Sequence, residues 1–106
     1  MSDITHISKD LVIYDDVMDA HHGQMDGIIR IGDPKTNVVY GYLEYSIFRE
    51  EFHISMIKVY EKYQRKGYAT ILLNYVKKAH KRYKIIPGYT TDDGTKLIKK
   101  VMTKRK

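Results

Sequence analysis

The residues with the clearest chemical potential form a short basic stretch, Gln64-Arg65-Lys66-Gly67-Tyr68-Ala69, just before a segment of helical periodicity. The first turn of a helix has unpaired backbone N–H groups and the positive end of the helix dipole, so it can bind an anion. Gly67 lets the backbone approach such an anion, and the small Ala69 leaves room for a second phosphate. The stretch is therefore predicted to bind a diphosphate, although a loop with ordinary solvated lysines has the same residue types.

Two elements must hold this loop. Before it, Phe52 to Val59 alternates in strand fashion, and the apolar phase changes after Met56, which predicts a β-bulge. After it, apolar side chains recur at spacings of three and four residues, while lysines fall on the opposite face. The apolar helix positions are Tyr68, Ile71, Leu72, Tyr75, Val76, Ala79 and Tyr83. The loop is thus expected to connect a strand to an amphipathic helix.

The remaining patterns complete an α+β fold of order β-β-β-β-α-β-α, a mixed, mostly antiparallel sheet with a crossover helix and a C-terminal helix. The other predicted elements are a strand at 11–14, a loop at 17–23, a hairpin of 24–31 and 38–48 turning at 32–37, a strand at Ile85-Ile86, a helix at 93–102 and a frayed tail at 102–106. A length of 106 residues fits one domain, residues 1–106.

Composition limits the class of protein. The absence of cysteine excludes disulfides, thiolate zinc sites and a cysteine nucleophile, and it fits a reducing compartment. No apolar run is long enough for a membrane span and no signal-peptide pattern occurs, so we expect a cytoplasmic protein without a membrane partner. Adjacent histidines seldom both reach one ion, so His21-His22 with nearby Asp15, Asp16 and Asp19 is interpreted as a loop, and no metal site is predicted.

Charge is divided unevenly along the chain. Residues 1–57 carry four basic and ten acidic side chains, whereas residues 58–106 carry fifteen basic and three acidic ones. The basic half suits a polyanion, which can be a nucleotide cofactor or a nucleic acid, and the acidic half suits a cationic acceptor such as an amine. Charge alone does not decide between these interpretations.

The loop resembles the acetyl-CoA motif of the GNAT acetyltransferase superfamily, in which a strand ending in Val leads through Arg/Gln-x-x-Gly-x-Gly/Ala into a helix. Val59, Tyr63, Gln64, Gly67 and Ala69 fall in register with that motif, and the similarity extends over about residues 38–102. Two positions depart from the common pattern, because Glu61 stands where the family often has Pro and Gln64 where Arg is commoner.

The resemblance implies a strand at 52–59 that splays from a strand at 84–87 to admit the pantetheine arm of acetyl-CoA. Main-chain groups near Ile57 and Val59 would pair with that arm, and backbone amides would hold the pyrophosphate. The residues of this amide set are Gln64, Arg65, Lys66, Gly67, Tyr68, Ala69 and Thr70. Arg65 or Lys66 would meet the ribose 3′-phosphate, and the reaction would be acetyl transfer to an amine.

The catalytic groups implied by the family are a general base and a general acid. Glu51 and His53 on the fourth predicted strand are candidates for the base, with Glu44 a weaker one, and Tyr89 is the candidate acid. An exposed strand Glu or His is more often structural, and Tyr89 can equally be a packing residue.

The sequence also lacks parts of the family's usual chain. Only residues 17–23 are available where the family has two helices that build the acceptor site, and no room remains after Met102 for two final strands. We therefore expect a large acceptor, such as a protein amine or RNA, or a site completed by a second subunit in a homodimer. A non-catalytic domain that binds CoA or a partner, and a small basic nucleic-acid-binding module, stay as alternatives.

Overall fold

A computed structural model describes residues 2–87 of the chain. The elements are β1 Ser2–Ser8, β2 Leu11–His21, β3 Gln24–Asp33, β4 Val38–Phe48, β5 Glu51–Val59, a 3₁₀ turn Glu61–Tyr63, α1 Tyr68–Ala79 and β6 Lys84–Pro87. The C-terminal helix predicted at 93–102, the tail and Tyr89 lie outside the described residues.

The six strands form one sheet in the order β1-β2-β3-β4-β5-β6. All neighbours pair antiparallel except β5 and β6, which are parallel and are joined through α1. This arrangement confirms the predicted α+β class and its crossover helix. Parallel neighbours cannot be joined by a tight turn, so the helix is a necessary part of the connection.

The beginning of the sheet differs from the sequence prediction. Strand β1 was not expected, because its two large apolar side chains, Ile4 and Ile7, are both exposed, and a register shift interrupts its pairing between His6 and Ser8. The loop predicted at 17–23 is also wrong, since β2 continues to His21 and only His22 and Gly23 remain as a two-residue hairpin turn with positive φ angles. Ladder bonds to β3 hold this part of β2, whose side chains are exposed and therefore give no apolar signal.

Helix α1 packs on one face of the sheet, which we call the inner face. Leu72, Leu73 and Val76 of the helix are fully buried there. They pack with side chains from four strands, namely Ile13, Ile29, Ile31, Leu43, Tyr45, Ile47, Phe52, Ile54 and Ile57. Burial of this apolar surface is the main force that fixes the helix on the sheet.

The predicted bulge in β5 is confirmed. Glu44 pairs with Met56 and Tyr45 pairs with Ile54, so Ser55 has no partner across the strand pair. The inner-face side chains change accordingly from Phe52 and Ile54 to Ile57, and Met56 is exposed. The bulge lies midway along the strand that leads into the basic loop.

Candidate functional site

The segment between β5 and α1, Tyr60 to Gly67, is the candidate cofactor loop. It begins with the 3₁₀ turn and ends at Gly67, which is the N-cap of α1 and has φ 83° and ψ 8°. Arg65 also lies in the left-handed region, with φ 67°. Non-glycine residues rarely adopt this conformation, and such residues concentrate at binding sites.

The N-terminus of α1 is open. Gly67 has no capping side chain, and its carbonyl accepts the first helical hydrogen bond from Ile71 N at 3.0 Å. The N–H groups of Tyr68, Ala69 and Thr70 therefore have no acceptor inside the helix. Among residues 2–87, a Cβ built on Gly67 meets nothing within 4 Å, so these residues leave open space beside the helix end.

Gln64 differs from its neighbours in the loop because its backbone and side-chain amides already donate hydrogen bonds. Its backbone N–H donates to Glu61 O at 3.3 Å, and its side-chain amide donates to Val59 O at 3.0 Å. Gln64 thus ties the loop to the end of β5, and its own N–H is engaged. Arg65 and Lys66 are exposed and carry positive charge beside the helix end. The predicted anion donors that remain are the amides following Gln64 and these two cations.

Three tyrosine rings contact one another where the loop meets the sheet and α1. Tyr40 on β4 stacks on Tyr68, with ring centroids 4.6 Å apart and an interplanar angle of 8°, and it meets Tyr63 edge-on at 4.8 Å. Sequence reasoning missed Tyr40, because nothing in its spacing distinguishes it from the other tyrosines of the chain. A register shift on β3 between Ile31 and Gly32 lies opposite Tyr40, so Tyr40 has no paired residue on β3.

The edge of β5 expected to receive the pantetheine arm is only partly paired. Pairing with β6 covers Glu51 to Ile54. Within residues 2–87, no strand pairs with Met56 to Val59 on the side away from β4. The roles of Ile57 and Val59 stay predictions, and this free edge is compatible with them.

The two predicted base candidates lie together. His53 Nε2 is 3.0 Å from Glu51 Oε1, and both side chains are a little over one-third exposed. Alternation along β5 places them on the outer face of the sheet, opposite α1, with His53 two residues and Glu51 four residues before Ser55. His53 is in register with Ser46, whose hydroxyl donates to Asp26 Oδ1 at 2.6 Å. Their catalytic roles stay predictions.

Sequence reasoning also missed a buried carboxylate on the inner face. Asp15 is 5% exposed and accepts hydrogen bonds from Tyr45 Oη at 2.7 Å, Tyr75 Oη at 2.8 Å and His80 Nε2 at 2.8 Å. Burial alone would raise the pKa of Asp15, but these hydrogen bonds, led by that of His80, hold it below its ordinary value. Burial, followed by the bond to Asp15, raises the pKa of both tyrosines.

This buried cluster is remote from the loop. His80 follows the last residue of α1, and a 12-residue helix is about 18 Å long, so the two sites occupy opposite ends of the helix. Asp15 is also separate from the surface group with which the sequence associated it. Of the residues in that group, Asp19 and His21 lie at the exposed end of the β2–β3 hairpin, where their side-chain oxygen and nitrogen atoms and those of Asp26 are within 4.8 Å of one another.

The sequence model of the Acetyltransferase (GNAT) family matches residues 6–102. Searches of curated proteins and of solved structures gave no match. The match spans most of the chain, and the chain therefore belongs to the GNAT family of acetyltransferases. Among residues 2–87, no helix is long and apolar enough to cross a bilayer.

Proposed function

We propose that this protein is an N-acetyltransferase that transfers acetyl from acetyl-CoA to an amine. The observation that carries the proposal is the open N-terminus of α1, capped by a left-handed glycine and preceded by a basic loop. A helix end of this kind favours negative charge through its free amides and its dipole. Its place directly after a bulged strand, in a chain of the GNAT family, favours a CoA pyrophosphate over other anions.

The residues divide into roles within this proposal. The N–H groups of Tyr68, Ala69 and Thr70 would hold the diphosphate, and Arg65 or Lys66 would meet the 3′-phosphate. The free edge of β5 would pair with the pantetheine arm. When bound, acetyl-CoA supplies the activated acetyl thioester.

The reacting groups would lie near the bulge. A backbone N–H close to Ser55 would polarise the thioester carbonyl, because an amide held in place by the sheet needs no reorganisation to stabilise developing charge. His53 would take the proton from the attacking amine, and Glu51, 3.0 Å from its ring, would orient the imidazole. The thiolate would then need a proton donor, for which Tyr89 is the proposed residue.

The acceptor is proposed to be cationic and large. The outer face around His53 carries Glu44 and Asp26, which suit an ammonium group or a basic segment of a protein. Residues 17–21 extend strand β2 and do not form a helix over this face. A macromolecular amine, or a pocket completed by a second copy of the chain, is consistent with this arrangement.

The first test is thermal unfolding with CoA and acetyl-CoA, since a ligand that binds the native state raises the melting temperature. Release of free thiol is then followed with basic peptides, proteins and small polyamines as acceptors. We expect stabilisation by both cofactors, and thiol release with macromolecular amines. Absence of stabilisation at millimolar CoA would refute the cofactor assignment. Stabilisation without thiol release from any acceptor would favour a non-catalytic CoA-binding domain.

A second candidate function is nucleic-acid binding, favoured by the basic surface around the C-terminal end of α1. Lys78, Lys81, Arg82 and Lys84 are exposed there, and the sequence contains no acidic residue between Glu61 and Asp92. This surface lies about 18 Å from the loop, too far to serve the same pyrophosphate. It predicts salt-dependent RNA or DNA binding that CoA does not displace. Binding that is competed by CoA, or is insensitive to salt, would contradict it.

A further inference from the structure

Tyr40 touches both ends of the candidate cofactor loop. Its carbonyl accepts a hydrogen bond from Tyr60 N–H at 3.0 Å, where the loop begins. Its ring meets Tyr63 in the 3₁₀ turn and stacks on Tyr68, the first residue of α1. One residue of the sheet therefore contacts the start of the loop through its carbonyl, and its ring links the 3₁₀ turn to the start of the helix.

Within residues 2–87, few other contacts hold the shape of the loop. Its local hydrogen bonds join Tyr63 N to Tyr60 O and Gln64 to Glu61 and Val59, all in its first half. No residue of the 3₁₀ turn is buried. The second half passes through Arg65 and Gly67, both of positive φ, and its side chains are exposed. Packing against Tyr40 is thus the tertiary contact best placed to fix the distance between the two halves.

We propose that Tyr40 is a positioning residue for the cofactor site. Its ring holds the 3₁₀ turn and the first turn of α1 at a fixed spacing, so that the amides after Gly67 are ordered before a ligand arrives. The contribution comes from the ring faces, because both aromatic contacts use the ring. That the ordered loop binds CoA rests on the proposed function, whereas the ordering itself does not.

Limited proteolysis tests the ordering without any ligand. Trypsin can cut the loop after Lys62, Arg65 and Lys66, all of which are exposed, and mass spectrometry separates these cuts from cuts elsewhere. We expect roughly tenfold faster loop cleavage in Tyr40→Ala, because loss of aromatic contacts raises the population of the open loop. Tyr40→Phe should be cut at the wild-type rate. Tyr14→Ala is the matched control, since Tyr14 is another half-buried strand tyrosine and lies on β2, which β3 and β4 separate from β5.

Calorimetric titration with CoA, well below each melting temperature, tests the link to binding. Tyr40→Ala should weaken binding roughly tenfold by the same loss of order, while Tyr40→Phe and Tyr14→Ala stay within about twofold of wild type. If Tyr40→Ala fails to fold, Tyr40→Leu keeps apolar bulk without an aromatic face and serves in its place.

The possible results distinguish the ordering of the loop by Tyr40 from the binding of CoA by that loop. Loop cleavage no faster in Tyr40→Ala than in Tyr14→Ala would overturn the positioning role. Faster loop cleavage with unchanged CoA affinity would overturn the inference that loop order sets binding. Failure of the wild-type protein to bind CoA would overturn the proposed function, and the role of Tyr40 in ordering the loop would still be decided by the protease result.

Discussion

Substitution of Gly67 by alanine separates backbone strain from ligand binding, because the chain contains a matched position. Gly67 has φ +83° and Gly23, in the β2–β3 turn, has φ +79°, and an added Cβ at either position meets nothing within 4 Å. Neither Gly67→Ala nor Gly23→Ala therefore introduces a clash. Each should lose about 1–2 kcal/mol of folding free energy, the cost of holding an L-residue in the left-handed region.

The two variants should differ in CoA binding. A side chain at Gly67, the N-cap of α1, adds bulk beside the first helical amides, so Gly67→Ala should weaken CoA affinity at least about tenfold, roughly 1.4 kcal/mol. Gly23→Ala should bind CoA as the wild type does. Gly67→Asn sharpens the comparison, because asparagine tolerates a left-handed backbone and should recover stability without recovering affinity.

Thermal unfolding and calorimetric titration give the two quantities. For a domain of this size a loss of 1 kcal/mol lowers the melting temperature by about 4–8 °C. Similar melting temperatures for the two alanine variants, with weak CoA binding only in Gly67→Ala, would support the assignment of the helix end as the anion site. Equal CoA affinity in both alanine variants would refute that assignment, whatever their stabilities.

Three further predictions concern the rest of the molecule. Asp15→Asn should lose about 1.5–3 kcal/mol of folding free energy at pH 7. Because the folded-state pKa of Asp15 is lowered, its stabilisation is present above the ordinary carboxyl pKa of 3.8 and is lost as pH falls through the folded-state value. In urea titrations the folding free energy of the variant should therefore depend less on pH below about 4 than that of the wild type. His53→Ala should lower kcat about 100-fold without changing CoA affinity, with Glu51→Gln smaller in effect, and equal kcat in His53→Ala would contradict its assignment as base. Arg65→Gly should keep the melting temperature nearly constant, since relief of positive-φ strain offsets the entropy of glycine, while CoA affinity falls; unchanged affinity would exclude Arg65 as a phosphate ligand.

The parts of the fold that the sequence predicted are those encoded by neighbours in the chain. The period of α1, the hairpin of β3 and β4 and the bulge in β5 each follow from side chains within about ten residues. Strand β1 and the second half of β2 do not, because their side chains face solvent and their backbone is held by pairing with other strands. Exposed strands held mainly by ladder bonds carry little apolar periodicity for a sequence pattern to detect.

Asp15 shows why long-range polar structure was not predictable. The acid after Leu11 to Tyr14 was interpreted as the end of a strand, yet alternation places Asp15 on the inner face beside Ile13, and the strand continues. Its three hydrogen-bond donors lie 30, 60 and 65 residues away, so only the assembled fold shows that this charge is satisfied. A buried carboxylate with such partners is stable, whereas without them it would be costly to bury.

The candidate site likewise has a part that local sequence predicts and a part that only the folded sheet positions. The two parts are tested by different experiments. Gln64 to Thr70 are contiguous, so their local sequence was sufficient to predict a diphosphate loop before any tertiary information. The supporting ring of Tyr40 depends on the register between β4 and β5, whereas the His53–Glu51 pair follows from alternation along β5 alone. Substitutions in the loop therefore test the cofactor class, while substitutions at Tyr40 and His53 test whether the sheet orders that loop and supplies the chemistry for acetyl transfer.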